Sequence, residues 1–191
     1  MSSTDSVLAP TRGRLKLLTL ALLCIAPIVA SYTLYFFFRP AAARNYGELI
    51  ALVPVPEIVS GRTPAYASLK GKWVLLVTDG GACGALCKAH LWQIRQLRLT
   101  QGKEMDRITR AWLVDDDATP DQGVLKDYEG TVVLRKQDAA GLYERLGAEA
   151  SRNHIFVIDP LGNLMMKFPA NPDLNRVKRD ISHLLKVSRI G

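Results

Sequence analysis

Residues with redox or metal-binding side chains are scarce in this sequence, which has only three cysteines and three histidines. Aromatic residues are also few, at 7%, and none alternates with the basic residues as a nucleic-acid-binding surface would require. The sequence contains no internal repeat and no low-complexity run. These absences argue against a nucleic-acid partner and against an architecture built from repeated units.

Positive charge exceeds negative charge, with a formal net charge of +7. The basic residues are spread along helix-like segments, mainly at 95–107 and 176–189. This distribution predicts a solvated basic face. Attraction to anionic lipid headgroups or to an acidic partner protein is the alternative interpretation.

One long apolar run lies near the amino terminus, over residues 15–38, and only Lys16 interrupts it. The run is long enough to cross a bilayer, so we predict a transmembrane helix over 15–38 behind a cytoplasmic tail at 1–14. Basic residues are denser before the run than after it, which favours a cytoplasmic amino terminus. A signal peptide cleaved near 41–43 is the alternative, although the run is long for one. Cys24, inside the run, is interpreted as a lipid-facing or packing residue.

Residues 39–68 combine alanines with four prolines, at positions 40, 54, 56 and 64. Proline blocks long helices and favours an extended chain. We therefore predict an extracytoplasmic linker over 39–68, with an edge strand or hairpin near its end, followed by a folded domain over 69–191.

The segment 72–88 is the central feature of the folded part. Five consecutive apolar residues from Trp73 to Val77, bounded by glycine turns, predict a strand buried on both faces. Cys83 and Cys87 follow at the start of a helical pattern, where unpaired backbone N–H groups and the helix dipole favour thiolate. This position favours a reactive cysteine pair over two small, semi-buried packing residues.

Strand-like and helical patterns alternate through the rest of the chain. The order is strand, helix, strand, helix, strand, helix, strand, strand, helix, which predicts an α/β architecture with early parallel pairing and a late antiparallel hairpin. The run from Asp115 to Asp117 follows the second strand and is interpreted as a solvated loop. The segments after the first strand are expected at 83–101, 108–114, 121–128, 131–134, 138–146, 154–158, 164–168 and 172–187.

Taken together, these elements resemble the thioredoxin fold. Within that superfamily, the C-x3-C spacing, the amino-terminal anchor and the lead-in at 72–77 resemble the Sco/SenC family of membrane-tethered copper proteins. The segment 114–120 resembles the family's V-D-P-x-x-D-T-P turn, and 158–162 resembles its I-D-P-x-G hairpin. The resemblance covers about residues 65–190. It implies an α/β, thioredoxin-like fold behind a single N-terminal transmembrane helix.

The resemblance also implies a copper site formed by Cys83, Cys87 and a histidine. Two positions depart from the family pattern. Gly84 stands where the family usually has proline, and Ser151 stands where the family has its histidine. Two thiolates and one imidazole form a soft donor set that suits Cu(I).

Two histidines are candidates for the third ligand. His154 falls where thioredoxins carry the cis-proline that packs against the cysteine pair, and it is the predicted ligand. His90 is the alternative, because residues 83, 87 and 90 share one face of a helix.

Three functions are compatible with these residues. The first is a Sco-like assembly factor that delivers copper to, or reduces the cysteines of, a respiratory copper centre such as that of cytochrome c oxidase. The second is an extracytoplasmic thiol:disulfide oxidoreductase that uses Cys83 and Cys87, and the third is an interaction domain with inert cysteines. The expected partners are a respiratory oxidase copper subunit or another extracytoplasmic thiol protein, together with the lipid bilayer. The expected location is a bacterial inner membrane, with the carboxyl-terminal domain on the periplasmic side.

Overall fold

The described part of the amino-terminal unit is a single helix. The structure, a computed structural model, describes residues 11–37, 45–61, 63–147 and 151–190, and it divides into the units Met1–Arg44 and Asn45–Gly191. In the first unit, helix α1 spans Thr11–Phe37. Within the described residues, one helix is long and apolar enough to cross a membrane, and its mean hydropathy is 2.2. This agrees with the predicted transmembrane helix, although α1 begins four residues before position 15.

The second unit is a six-stranded mixed sheet with helices on both faces. The strands are ordered β1-β6-β5-β2-β3-β4. Strands β2, β3 and β4 are parallel, and β5 is antiparallel to β6, as the sequence predicts. Strand β5 is also antiparallel to β2. The elements are β1 Glu48–Pro54, α2 Pro56–Ser60, α3 Pro64–Ala67, β2 Trp73–Asp79, α4 Ala85–Leu99, β3 Ile108–Val114, α5 Gln122–Asp127, β4 Thr131–Arg135, α6 Ala140–Leu146, β5 His154–Ile158, β6 Asn163–Pro169 and α7 Leu174–Val187, with 3-10 segments at Gly102–Arg107 and Ser151–Asn153.

Strand β2 is buried on both faces and separates two hydrophobic clusters. One cluster contains Val77, both cysteines of the C-x3-C segment and the buried apolar residues of α4 and α7. The other contains Leu76, Phe156 and the buried residues of α2, α3 and α6. The apolar side chains of β2 therefore pack on both faces of the sheet. This is why the strand lacks the alternation of apolar and polar residues that is typical of a half-exposed strand.

The structure corrects the predicted linker over 39–68, because residues 45–61 and 63–68 belong to the folded unit. Strand β1 pairs antiparallel with β6, and Ile58 and Tyr66 are buried. Pro56 and Pro64 stand in the first turn of α2 and α3. A proline there starts a helix without losing an intrahelical hydrogen bond. Residues 39–44 lie outside the described part of the chain.

A buried carboxylate on α7 fastens the start of the folded unit. Asp180 accepts hydrogen bonds from the backbone N–H groups of Tyr46 at 2.7 Å and Gly47 at 2.8 Å. The Tyr46 ring stacks on Phe168, with 6.2 Å between ring centroids. A Cβ at position 47 would overlap the side chains of Met166 and Phe168, so glycine allows this close approach.

Replacing Asp180 by alanine is expected to lower the free energy of unfolding by roughly 2 to 3 kcal/mol, because two backbone N–H groups lose an ionised acceptor. The measurement is denaturant unfolding of the full chain in a nonionic detergent. Lys178→Ala, an exposed substitution on the same helix, serves as the control. Equal stability of Asp180→Ala and Lys178→Ala would contradict the anchoring role.

Candidate functional site

The two cysteines of the C-x3-C segment form a disulfide at the start of α4. Their Cα atoms are 5.1 Å apart. Strand β2 ends at Asp79, and the following turn leads directly into the helix. Cys83 and Cys87 are 2% and 1% exposed, whereas the residues between them are exposed. The sulfur atoms therefore pack into the core, and the segment between the cysteines faces outward.

The backbone at Cys83 adopts a conformation that favours glycine. Its φ is +44°, and it is the one non-glycine residue with positive φ within the described ranges. Such a conformation is costly for a residue with a side chain and persists where the surroundings enforce it. The Cys83 N–H donates to the Gly80 carbonyl at 3.1 Å. At position 81, a Cβ would overlap the carbonyl oxygen of Ala118, so this turn admits glycine and little else.

The acidic run after β3 differs from the predicted solvated loop, because Asp115 is buried and ion-paired. The Arg152 guanidinium donates to both Asp115 carboxylate oxygens, at 2.5 and 2.6 Å. It also lies 3.8 Å from the Asp79 carboxylate at the end of β2. The hydrogen bond with Asp115 raises the pKa of Arg152 above the usual value of a guanidinium.

Asp116 connects this loop to the cysteine turn. Its Oδ1 accepts the N–H of Gly81 at 2.9 Å and that of Ala118 at 3.1 Å. A further backbone bond runs from the Asp121 N–H to the Gly81 carbonyl, at 3.0 Å. The loop after β3 therefore braces the turn that carries the cysteines. Sequence reasoning missed this role, although the likeness of 114–120 to a family turn was a signal.

The strand register places His154 and the disulfide on opposite faces of the sheet. Ile155 pairs with Val77 and packs in the same cluster as both cysteines. Side chains alternate along a strand, so His154 shares its face with Phe156, and their ring centroids are 5.8 Å apart. A ligand role for His154 stays a prediction, and it would require the start of β5 to rearrange.

His90 lies on the cysteine-bearing helix and is 1% exposed. Its Nε2 donates to the Ala170 carbonyl at 2.8 Å, since a carbonyl oxygen can only accept. In the neutral ring, Nδ1 then carries a lone pair, and this buried atom has no hydrogen-bond partner in the described structure. Residues three apart on a helix are neighbours on its surface. The imidazole therefore lies one turn beyond Cys87.

The donor atoms at this site are two sulfurs, bonded to each other, and one imidazole nitrogen. Within the described residues, no group of three or more His, Cys, Asp or Glu is arranged to hold a metal ion. In this oxidised form, the site is suited to disulfide chemistry. A copper site would first require reduction of the pair, because the metal ligand is thiolate.

Two family models match the chain. Residues 73–188 match the model described as a transmembrane-like, thioredoxin-like, C-terminal domain. Residues 9–37 match the model described as a transmembrane-like, N-terminal domain. No curated protein matches the chain.

Several solved structures share the fold at low sequence identity. Yeast Sco1 is 14% identical, with a TM-score of 0.54 over 77% of this chain and 98% of its own. Yeast Sco1 with copper bound is 16% identical, with a TM-score of 0.53 over 75% and 94%. Arabidopsis thaliana ScoI with copper bound is 14% identical, with a TM-score of 0.51 over 75% and 100%. These similarities and the family match confirm the predicted thioredoxin-like fold, and at the level of the fold they confirm the resemblance to the Sco/SenC family.

Asp116 and Asp117 form a matched pair for testing the brace. Asp116→Ala is expected to lower the free energy of unfolding of the oxidised chain by about 1 kcal/mol, because the Gly81 N–H loses its acceptor. It should also speed reduction of the disulfide by a small dithiol. Asp117 contacts Gln137 at 3.4 Å, so Asp117→Ala is expected to change stability by less than about 0.5 kcal/mol. Equal effects of the two substitutions, measured by denaturant unfolding, would contradict this assignment.

Proposed function

The chain belongs to the family of transmembrane-like, thioredoxin-like proteins, and we propose from this that it is a membrane-anchored thiol–disulfide protein acting through Cys83 and Cys87. The observation that carries the proposal is the disulfide between these residues at the start of a helix that follows the central strand. Two cysteines joined at that position form a pair that can be reduced and reoxidised.

The start of α4 supports thiolate chemistry. Gly84 is the N-cap residue, and among the described residues no side chain caps the helix. The backbone N–H groups of the first turn, together with the helix dipole, can therefore stabilise a nearby thiolate. This arrangement favours Cys83, which directly precedes the cap, as the attacking sulfur.

The reaction conserves atoms and electrons in two exchange steps. The Cys83 thiolate attacks one sulfur of a client disulfide, a mixed disulfide forms, and one client thiolate leaves. The Cys87 thiolate then attacks the Cys83 sulfur, which re-forms the internal disulfide and releases the second client thiolate. Two electrons pass from the pair to the client. An external dithiol protein returns the pair to its reduced form.

We assign the folded unit to the extracytoplasmic side of the membrane. The apolar helix and the transmembrane-like family match support a single-pass anchor, and the basic residues before it favour a cytoplasmic amino terminus. Disulfides persist in oxidising compartments such as the bacterial periplasm. The proposed location is therefore the bacterial inner membrane, with the cysteine pair facing the periplasm.

A second candidate function is delivery of copper as cargo to a respiratory copper centre such as that of cytochrome c oxidase. The buried Nδ1 of His90, one turn beyond Cys87, favours it, because two thiolates and an imidazole suit Cu(I). Yeast Sco1 and Arabidopsis thaliana ScoI are described with copper bound, which supports the same possibility here. The client in either case is an extracytoplasmic thiol protein or an oxidase copper subunit.

Cysteine variants test the primary proposal. Cys83→Ser is expected to abolish reduction of a model disulfide peptide by the prereduced full chain, because the attacking sulfur is gone. Cys24→Ser, which removes the exposed free cysteine of α1, is the matched control and should retain full activity. The readout is the rate of peptide thiol release. Normal activity in Cys83→Ser would refute the proposal.

Histidine variants separate the copper candidates. Cu(I) titration of the reduced full chain, against a competing chelator, is expected to give one-to-one binding if copper is cargo. His90→Ala should then weaken the affinity about tenfold or more if its Nδ1 is a ligand. His154→Ala should have that effect if the histidine suggested by the family resemblance is the ligand. Weak binding that is indifferent to both variants would remove the copper function and leave the disulfide function standing.

A further inference from the structure

A basic cleft lies at the end of the sheet opposite the disulfide. Strands β2 and β3 are parallel, so their first residues lie at the same end of the sheet. The cysteine turn follows β2 at the opposite end. The cleft has a volume of about 570 Å³ and lies between the start of β3 and the carboxyl-terminal ends of α4 and α5. That volume is in the range of small-molecule sites.

Five cationic side chains line this cleft, and few negative charges face them. The cations are Lys72, Arg95, Arg98, Arg110 and Lys126, and the acidic residues along the lining are Asp127 and Glu129. Within the described residues, Arg98 pairs with the Asp106 carboxylate, which is 82% exposed, and the other four cations form no ion pair. The Arg95 guanidinium instead donates to the backbone carbonyl of Asp127, at 3.2 Å. The cleft therefore holds an excess of positive charge.

Arg110 is the buried member of the set, with 6% of its surface exposed. Its Nη2 donates to the backbone carbonyl of Glu129 at 2.5 Å. Its Nε and Nη1 are buried and have no hydrogen-bond partner in the described part of the chain. Burial, followed by the charges of Arg98 and Arg95, lowers the pKa of Arg110 below the usual value of a guanidinium. A buried guanidinium without an anion is costly, and no carboxylate in the described part of the chain forms an ion pair with Arg110.

We propose that this cleft binds a phosphate-bearing anion, with the guanidinium of Arg110 at its base. A guanidinium presents paired N–H donors that match phosphate geometry. The exposed side chains of Lys72, Arg95 and Lys126 add charge at the rim, which suits an anion carrying more than one negative charge. Because the cleft has the size of a small-molecule site, its ligand is a phosphorylated compound or a single lipid headgroup and not a polypeptide.

Binding measurements on the full chain in a nonionic detergent at low salt test this site. The probes are inorganic phosphate, pyrophosphate and a water-soluble short-chain phosphatidic acid, each titrated by calorimetry. Saturable binding of at least one probe is expected. Arg110→Met should weaken it about tenfold or more, because a buried charged hydrogen-bond donor is lost. Arg189→Gln, an exposed substitution outside the cleft with the same change in charge, should leave binding unchanged.

The comparison of probes identifies the source of the phosphate. Tighter binding of the phosphatidic acid supports a lipid headgroup, and tighter binding of pyrophosphate supports a soluble phosphorylated compound. Absence of saturable binding, or equal binding by the wild type and Arg110→Met, would overturn the proposal. If Arg110→Met does not fold, the exposed double variant Arg95→Gln/Lys126→Gln replaces it, and unchanged binding in that variant would likewise overturn the site.

Discussion

The parallel pairing of β2 with β3 is the constraint on which both ends of the folded unit depend. At the carboxyl ends of these strands, Asp79 pairs with Val114, so the turn that bears the cysteines meets the loop that begins at Asp115. At the amino ends, the same pairing brings Lys72 and Arg110 to one cleft. The pairing of β2 with β3 therefore places the disulfide at one end of these strands and a cluster of positive charges at the other end.

The conformation of the cysteine turn is stabilised mainly by contacts with other segments of the chain. Cys83 has a positive φ, which a side chain resists, and its immediate sequence offers no side-chain cap for α4. Contacts from outside the turn stabilise this conformation. Asp116, in the loop after β3, accepts the Gly81 N–H. Arg152, just before β5, links the ends of β2 and β3 through Asp79 and Asp115. The strain at the cysteine is sustained by bonds to the neighbouring loop and strand ends.

Local patterns predicted most of the fold, whereas features that depend on distant partners were missed. Strand β2, helix α4 and the late hairpin follow from apolar runs and turn residues. The burial of Asp115 does not, because its partner Arg152 is 37 residues away in sequence. The prolines at 56 and 64 indicate a spacer by composition, and only their place in the first turn of a helix reveals a folded segment. The face on which His154 lies depends on the register of β5 with β2, and that register is not encoded locally.

The edge position of β1 has a mechanical consequence for a tethered protein. The chain enters the folded unit at residue 45, and β1 follows at the outer edge of the sheet, where it pairs with β6. Two strands, β6 and β5, separate it from β2. Tension on the amino-terminal side is therefore borne first by the Asp180 hydrogen bonds to Tyr46 and Gly47 and by the β1–β6 ladder. The strand that leads into the cysteine turn is separated from that load by two strands, so force applied at the amino-terminal side reaches β1 and β6 before it reaches the disulfide.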